Sequence, residues 1–191
     1  KLFLSSNHSY LLYFTDMGRV YRTKTYNIPE AGRTAKGTPV VNIIEKSPEE
    51  KISEIIPVKE FSDNEYLVMV TKNGIIKKTP ASEYESIRKS GKIAITLKEG
   101  DELISIFKTT GNDNIFLATR NGMAICFNEN DARAVGRTAS GVKAIDLADG
   151  DYVVGAEPVR EDSKVLLVTD GGYGKCTDLT SFRIQHRGGK A

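Results

Sequence analysis

The chain has 191 residues, 39% hydrophobic and 27% charged, with 27 Lys and Arg against 25 Asp and Glu for a formal charge of +2. That is enough apolar material to bury a core in one or two domains, and too little net charge for a non-specific polycation, so an acidic partner has to be met by local clustering of basic side chains. Cys126 and Cys176 lie far apart and outside any paired spacing, which argues against a disulfide framework or a cysteine zinc site. No apolar run approaches the roughly eighteen residues of a membrane span, and the N-terminal stretch is too short for a signal peptide. A reducing cytoplasm is the expected setting, with no membrane partner.

In chain order, "KLFLS" at 1–5 reads as the tail of a preceding element. "LLYFTDMG" at 11–18 then opens a pattern of four apolar residues closed by Thr-x-x-Gly. The pattern returns as "LVMVTKNG" at 67–74, "IFLATRNG" at 115–122 and "VLLVTDGG" at 165–172, about every fifty residues. Four consecutive apolar residues without alternation predict a short strand buried on both faces. Asn73-Gly74 and Asn121-Gly122 are expected to supply the positive φ angles of a tight hairpin turn. The returning strands carry basic residues in "GRVYRTK" at 18–24 and "GIIKKT" at 74–79, and are continued by "GMAICF" at 122–127 and "GYGKCT" at 172–177.

A second glycine follows each hairpin, in a basic loop. "GRTAKG" at 32–37 and "GRTASG" at 136–141 are near copies, and "IRKSG" and "QHRGGKA" hold the equivalent places in the other two units. The Arg and Lys of these loops are expected to stay in solvent. Further strands are predicted at 40–44 ("VVNII"), 93–97 ("IAITL") and 142–147 ("VKAIDL"). Another set follows at 52–58, 102–107 and 152–159. Four strands per unit is the arithmetic of a propeller-like blade. The chain is therefore expected to be all-β, one repeat domain over 1–191 with units beginning near 10, 66, 114 and 164. The stretches "TKTYNIPEAG" and "TPASEYESIR" are expected to be connections, and Ala191 falls where the next apolar strand is due, so further blades are expected beyond both ends.

A catalytic centre finds little support. His8 and His186 sit at opposite ends, the carboxylates are scattered, and there is no Gly-x-Ser-x-Gly, Walker or HExxH pattern. "GRTAKG" lacks the ending of a phosphate loop and no helical pattern follows it. No catalytic residue, metal site or cofactor is expected within this chain.

The basic residues recur at fixed places in the unit. Arg22 and Lys78 lie four residues after their closing glycines, with Lys77 and Lys175 one residue earlier in theirs; Arg19 and Lys24 share the first returning strand. The later loops add Arg33, Lys36, Arg88, Lys89, Lys92, Arg137, Lys143, Arg187 and Lys190. In a radial array equivalent positions stand at one height, so these fifteen side chains are candidates for a basic stripe around the rim. Such a stripe matches a phosphate backbone, with steep salt dependence and little sequence preference. Cys126 and Cys176 occupy the position of Arg22 and Lys78, interrupt the stripe, and read as small neutral replacements rather than a redox pair. With no Trp and few aromatics near the loops, duplex DNA is a better match than single strands.

Together "IPEAGRTAKG", "AVGRTASGVKAI" and "GYGKCTDLTSFRIQHRGGKA" resemble the C-terminal domain of the bacterial DNA gyrase A protein, unit after unit over essentially the whole chain. The resemblance implies a β-pinwheel, a disc of four-stranded blades that exchange a strand with their neighbours. It further implies duplex DNA wrapped on the rim, and a place in an assembly of gyrase A with gyrase B that supercoils DNA with ATP. The cleaving tyrosine and the ATPase would lie elsewhere in that cytoplasmic, nucleoid-associated enzyme. The family's signature box, roughly Gln-Arg-Arg-Gly-Gly-Lys-Gly, has its nearest match in Gln185, His186, Arg187, Gly188, Gly189, Lys190 and Ala191, read as a degenerate copy in a later blade. The topoisomerase IV counterpart is the alternative within the family. A propeller-like scaffold for proteins is the rival outside it, predicting apolar or mixed-charge patches in place of a basic rim.

Overall fold

A computed structural model describes residues 2–190, and among these no α-helix occurs and none could cross a membrane. The first unit contributes β1 (Tyr10–Thr15), β2 (Arg19–Lys24) and β3 (Ile52–Val58). The second contributes β4 (Tyr66–Thr71), β5 (Ile75–Pro80), β6 (Lys92–Ile93) and β7 (Leu103–Thr109). The third repeats this as β8 (Asn114–Thr119), β9 (Ala124–Asn128), β10 (Val142–Lys143) and β11 (Val153–Pro158). The fourth supplies β12 (Lys164–Val168) and β13 (Gly174–Asp178).

Each unit opens with the expected hairpin, but the turn is of another kind. Asn73 and Asn121 are not left-handed; only the closing glycines are, with φ of 75°, 80°, 84° and 81° at Gly18, Gly74, Gly122 and Gly172. The Gly74 N–H donates back to the Thr71 carbonyl at 3.1 Å, which makes a three-residue loop ending in one left-handed residue. The threonine is explained by the same geometry. In all four hairpins its Oγ1 accepts the N–H of the residue after the glycine: Arg19 at 3.3 Å, and Ile75, Met123 and Tyr173 at 3.2 Å.

The largest departure from the sequence reading lies in the segments after the basic loops. "IAITL" and "VKAIDL" do not form strands of their own blades. Each contributes a two-residue strand, β6 or β10, which pairs antiparallel with β2 or β5 of the unit before. The sheets accordingly run β3-β1-β2-β6 and β10-β5-β4-β7, with β11-β8-β9 and β12-β13 following. "VVNII" is not a strand; Val40–Asn42 form a 3-10 turn, and among the described residues no sheet stands before the first unit to receive it. The donated strand is short because it bends over the preceding hairpin: the Ala94 N–H donates to the Gly18 carbonyl and the Ala144 N–H to that of Gly74, each at 2.7 Å. A Cβ on Gly18 would lie 2.7 Å from the Ile95 carbonyl oxygen, so this glycine serves close approach as well as the turn.

The core fills the spaces between blades. Leu12, Phe14 and Val20 of the first pack with Leu67 and Met69 of the second, together with Ala94 and Ile95. Val68, Val70 and Ile76 pack with Ile115, Leu117 and Ile125 in the same way. Burial on both faces, as predicted from the unalternating runs, stabilises each such strand by about 1.5–3 kcal/mol per large side chain. The prediction fails in β12, where Leu166 is 67% and Val168 66% exposed, since no further strand or blade covers it among the described residues. Strand β7 packs against both β3 and β11, so these edges form the inner side. The opposite edges, completed by β6 and β10, face outward.

Candidate nucleic-acid interface

The outer edge is built by the returning strands and the basic loops that deliver β6 and β10. Arg33, Lys89, Arg137 and Arg187 each occupy the first position of the turn in their loop, so one cation recurs there in all four units. Two of these reach the same target. Arg137 donates Nη1 to the Ile93 carbonyl, and Arg187 donates Nη1 to the Lys143 carbonyl at 3.0 Å. Ile93 and Lys143 are equivalent, since they pair with the first residues of β2 and β5, Arg19 and Ile75. Arg187 also donates Nε to the Asp131 carbonyl at 2.7 Å. These guanidiniums are therefore held by the fold with donors to spare, against the expectation of free solvation.

The predicted cations fall into three groups. Arg33, Lys36, Arg88, Lys89, Lys175 and Lys190 are exposed, and Lys92 is half-buried in β6. A second group is held at the surface by neighbours. Arg22 lies over the Tyr10 ring at 4.7 Å and donates to the Glu85 carbonyl, while the Lys24 ammonium stands 3.5 Å from the same ring centroid. Arg19 donates Nη2 to the Ser90 carbonyl at 2.8 Å and lies 3.8 Å from the buried Glu50 carboxylate. Lys143 pairs with Asp146 at 2.9 Å.

Lys77 and Lys78 form the third group and are corrections to the rim assignment: they are 1% and 5% exposed. The core cluster between the first and second blades covers one face of β5, and the next unit's loop, which carries Asn130, covers the other. The Lys78 ammonium is 3.4 Å from the Glu129 carboxylate and donates to Asn130 Oδ1 at 3.2 Å. Lys77 donates Nζ to the carbonyls of Ala94, Gly136 and Arg137. Burial, with the Arg137 charge beside it, pulls the Lys77 ammonium down to about 7, against the pull of Glu83 in the other direction.

Two further cations escaped the sequence reading. Arg133 and Arg183 are exposed and sit at equivalent places, each just before a parallel bridge to the preceding blade, Ala134 to Lys78 and Ile184 to Cys126. The signal was present as "ARAVGR" at 132–137 and "FRIQHR" at 182–187, which share an Arg-x-x-x-Arg spacing. The cysteines hold the predicted register, Cys126 opposite Phe116 and Cys176 opposite Leu166, as Arg22 is opposite Leu12 and Lys78 opposite Val68. Cys126 is buried against Phe116 and Leu179, which pushes its thiol pKa up, and Cys176 is exposed.

Two carboxylates, Glu50 and Glu129, are buried. Glu50 accepts from Tyr21 OH at 2.6 Å, Ser47 N at 2.8 Å and Thr15 Oγ1 at 3.0 Å. Burial opposes its charge, but these donors together hold the carboxyl below its ordinary range. Among the described residues no three His, Cys, Asp or Glu side chains gather closely enough to hold a metal ion. The arrangement offers cations and backbone N–H groups along an outer edge, which suits an extended polyanion.

The sequence matches the family described as DNA gyrase C-terminal domain, beta-propeller, over residues 9–59, 65–110, 113–160 and 163–191. It is 51% identical over 189 residues to the DNA gyrase A protein of Clostridium acetobutylicum, covering 99% of this chain and 23% of that protein. The chain thus spans about a quarter or less of the length of the curated relatives it matches. Among solved structures, the C-terminal domain of DNA topoisomerase IV superposes with a TM-score of 0.90 at 32% identity, over 97% of this chain and 58% of that one. A DNA gyrase A C-terminal domain gives 0.80 at 26% identity, over 97% and 60%.

Proposed function

The chain belongs to the DNA gyrase C-terminal domain family, and from that premise we propose that it binds and bends duplex DNA along its outer edge, without strong sequence preference. It does so as the accessory domain of a gyrase A protein, in a bacterial, cytoplasmic, nucleoid-associated assembly with gyrase B. There it lets ATP-driven strand passage introduce negative supercoils; the catalytic residues belong to other parts of the enzyme. The observation that carries this reading is the fourfold recurrence of a cation at the first turn position, Arg33, Lys89, Arg137 and Arg187. A repeated cation at one height meets successive phosphates of a bent duplex, and neutralised phosphates spread along an arc are what offset a bending cost of about 1–6 kcal/mol. A duplex labelled at both ends tests it: energy transfer between the ends rises on binding if the DNA is bent, and constant transfer with saturable binding contradicts the bending.

A second reading, the topoisomerase IV counterpart, is favoured by the backbone likeness to that domain, while the identity to gyrase A sequences favours the first. The two separate in the assembled enzyme. Negative supercoiling of relaxed plasmid marks gyrase, and decatenation or relaxation without it marks topoisomerase IV.

A further inference from the structure

The two near-identical hexapeptides differ sharply in how they are held. "GRTAKG" at 32–37 is exposed throughout, with one internal turn bond from Ala35 N to Gly32 O at 3.0 Å. "GRTASG" at 136–141 is clamped to the 93–96 segment at successive residues. Arg137 donates Nη1 to the Ile93 carbonyl, Thr96 donates Oγ1 to the Thr138 carbonyl at 2.7 Å, and the Thr96 N–H donates to the Ala139 carbonyl at 3.2 Å. Beneath these lies Lys77, whose ammonium takes the carbonyls of Gly136 and Arg137 from the loop and that of Ala94 from the donated segment. Tyr84 donates its hydroxyl to the same Ala94 carbonyl at 3.1 Å. One buried side chain on the second blade therefore joins the strand given to the first blade to the basic loop of the third unit.

The first and third units show that the hairpin does not require a lysine here, although the fourth repeats it as Lys175. Tyr21 fills the place in the first unit and donates to Glu50, and Ile125 fills it in the third. A buried cation facing three carbonyls and no carboxylate is a costly choice unless each N–H is used. An ammonium has three N–H donors, matching the three carbonyls; the neutral amine has two and leaves one of them short.

We infer that Lys77 is a positioning residue for the DNA contact of the 136–141 loop: its protonated ammonium fixes the loop backbone, and with it Arg137, in the geometry that meets phosphate. The inference rests on the proposed duplex-binding function. The groups around the amine are Arg137 from the loop, and Glu83 and Tyr84 from the 3-10 turn Ala81–Tyr84. Burial and the Arg137 charge oppose the ammonium, and the carbonyls of Ala94, Gly136 and Arg137 are the groups that receive it.

The test is duplex binding by fluorescence anisotropy at fixed ionic strength and pH 6, for the parent protein, Lys77→Met, Arg137→Ala and the two combined, with Lys77→Arg as the charge-retaining variant. The Met variant is expected to bind roughly three- to tenfold more weakly than the parent, and Arg to restore most of that loss. Arg137→Ala is expected to weaken binding by itself and to add little to Lys77→Met, because the lysine acts through the loop that carries the arginine. Equal affinity of parent and Met variant, or fully additive losses in the double variant, overturns the inference while leaving duplex binding intact. Failure of the parent to bind overturns the proposed function instead. Should the Met variant not fold, the Lys77 ammonium of the parent decides by NMR at pH 6: a resolved, slowly exchanging signal supports the clamp, and free exchange with solvent overturns it.

Discussion

Lys78 on β5 and Glu129 after β9 face one another across the boundary between the second and third units, 3.4 Å apart, with side chains 6% and 0% exposed. Glu129 is otherwise satisfied by Thr109 Oγ1 at 2.8 Å and by the N–H groups of Gly111 and Asp113 at 2.9 and 2.8 Å. Removing the lysine leaves a buried carboxylate without its cation. Lys78→Met is expected to destabilise the fold by about 3–5 kcal/mol, measured by denaturant unfolding. A change below about 0.5 kcal/mol, the range of an ordinary surface substitution, would return Lys78 to the rim.

The exposed cations are expected to behave differently. Replacing Arg88 and Lys89 with Ala is expected to leave the thermal midpoint nearly unchanged, and to flatten the logarithmic salt dependence of duplex binding by about 0.9 for each phosphate that is no longer neutralised. An unchanged slope removes both residues from the interface.

Glycine positions separate the two demands placed on the chain. Gly122 and Gly141 are both left-handed, but a Cβ at Gly141 would meet the Ile76 carbonyl oxygen at 2.4 Å while one at Gly122 meets nothing. Gly122→Ala is expected to cost about 1–2 kcal/mol for the backbone conformation alone. Gly141→Ala is expected to cost roughly 3 kcal/mol or more, since the donated strand must shift as well. Equal losses in calorimetry would mean that close approach of β10 to β5 contributes nothing.

Stability is expected to vary with pH through Lys77. Its folded pKa of about 7 lies below the ordinary lysine value. Between pH 7 and about 10 the unfolded chain therefore binds more protons, and unfolding free energy rises with pH across that window. Lys77→Met is expected to remove this rise. A parent and variant with parallel stability profiles would place the Lys77 amine at its ordinary value.

The repeat, the hairpins and the all-β class were legible because Thr-x-x-Gly after four apolar residues is a local signal, decided by turn geometry and two-sided burial. Strand exchange was not legible from periodicity, since "IAITL" pairs just as well with its own blade on pattern alone; only the resemblance implied it. Lys77 and Lys78 misled for a related reason. Adjacent strand residues point to opposite faces, so one of two neighbouring lysines is expected to face solvent, but β5 is covered on one face by the core cluster around Met69 and on the other by the loop carrying Asn130. Arg137 and Arg187 were found as cations, yet their bonds to Ile93 and Lys143 depend on tertiary packing between units that no local spacing records.

The central claim is that an outer edge of repeated cations holds the duplex by its backbone. The most direct measurement is duplex binding by fluorescence anisotropy across a salt series, using unrelated sequences of equal length. The account predicts that binding weakens steeply and linearly on a log–log plot as salt rises, with affinities that agree between sequences. No binding at low salt, or a shallow slope with strong preference for one sequence, would contradict it.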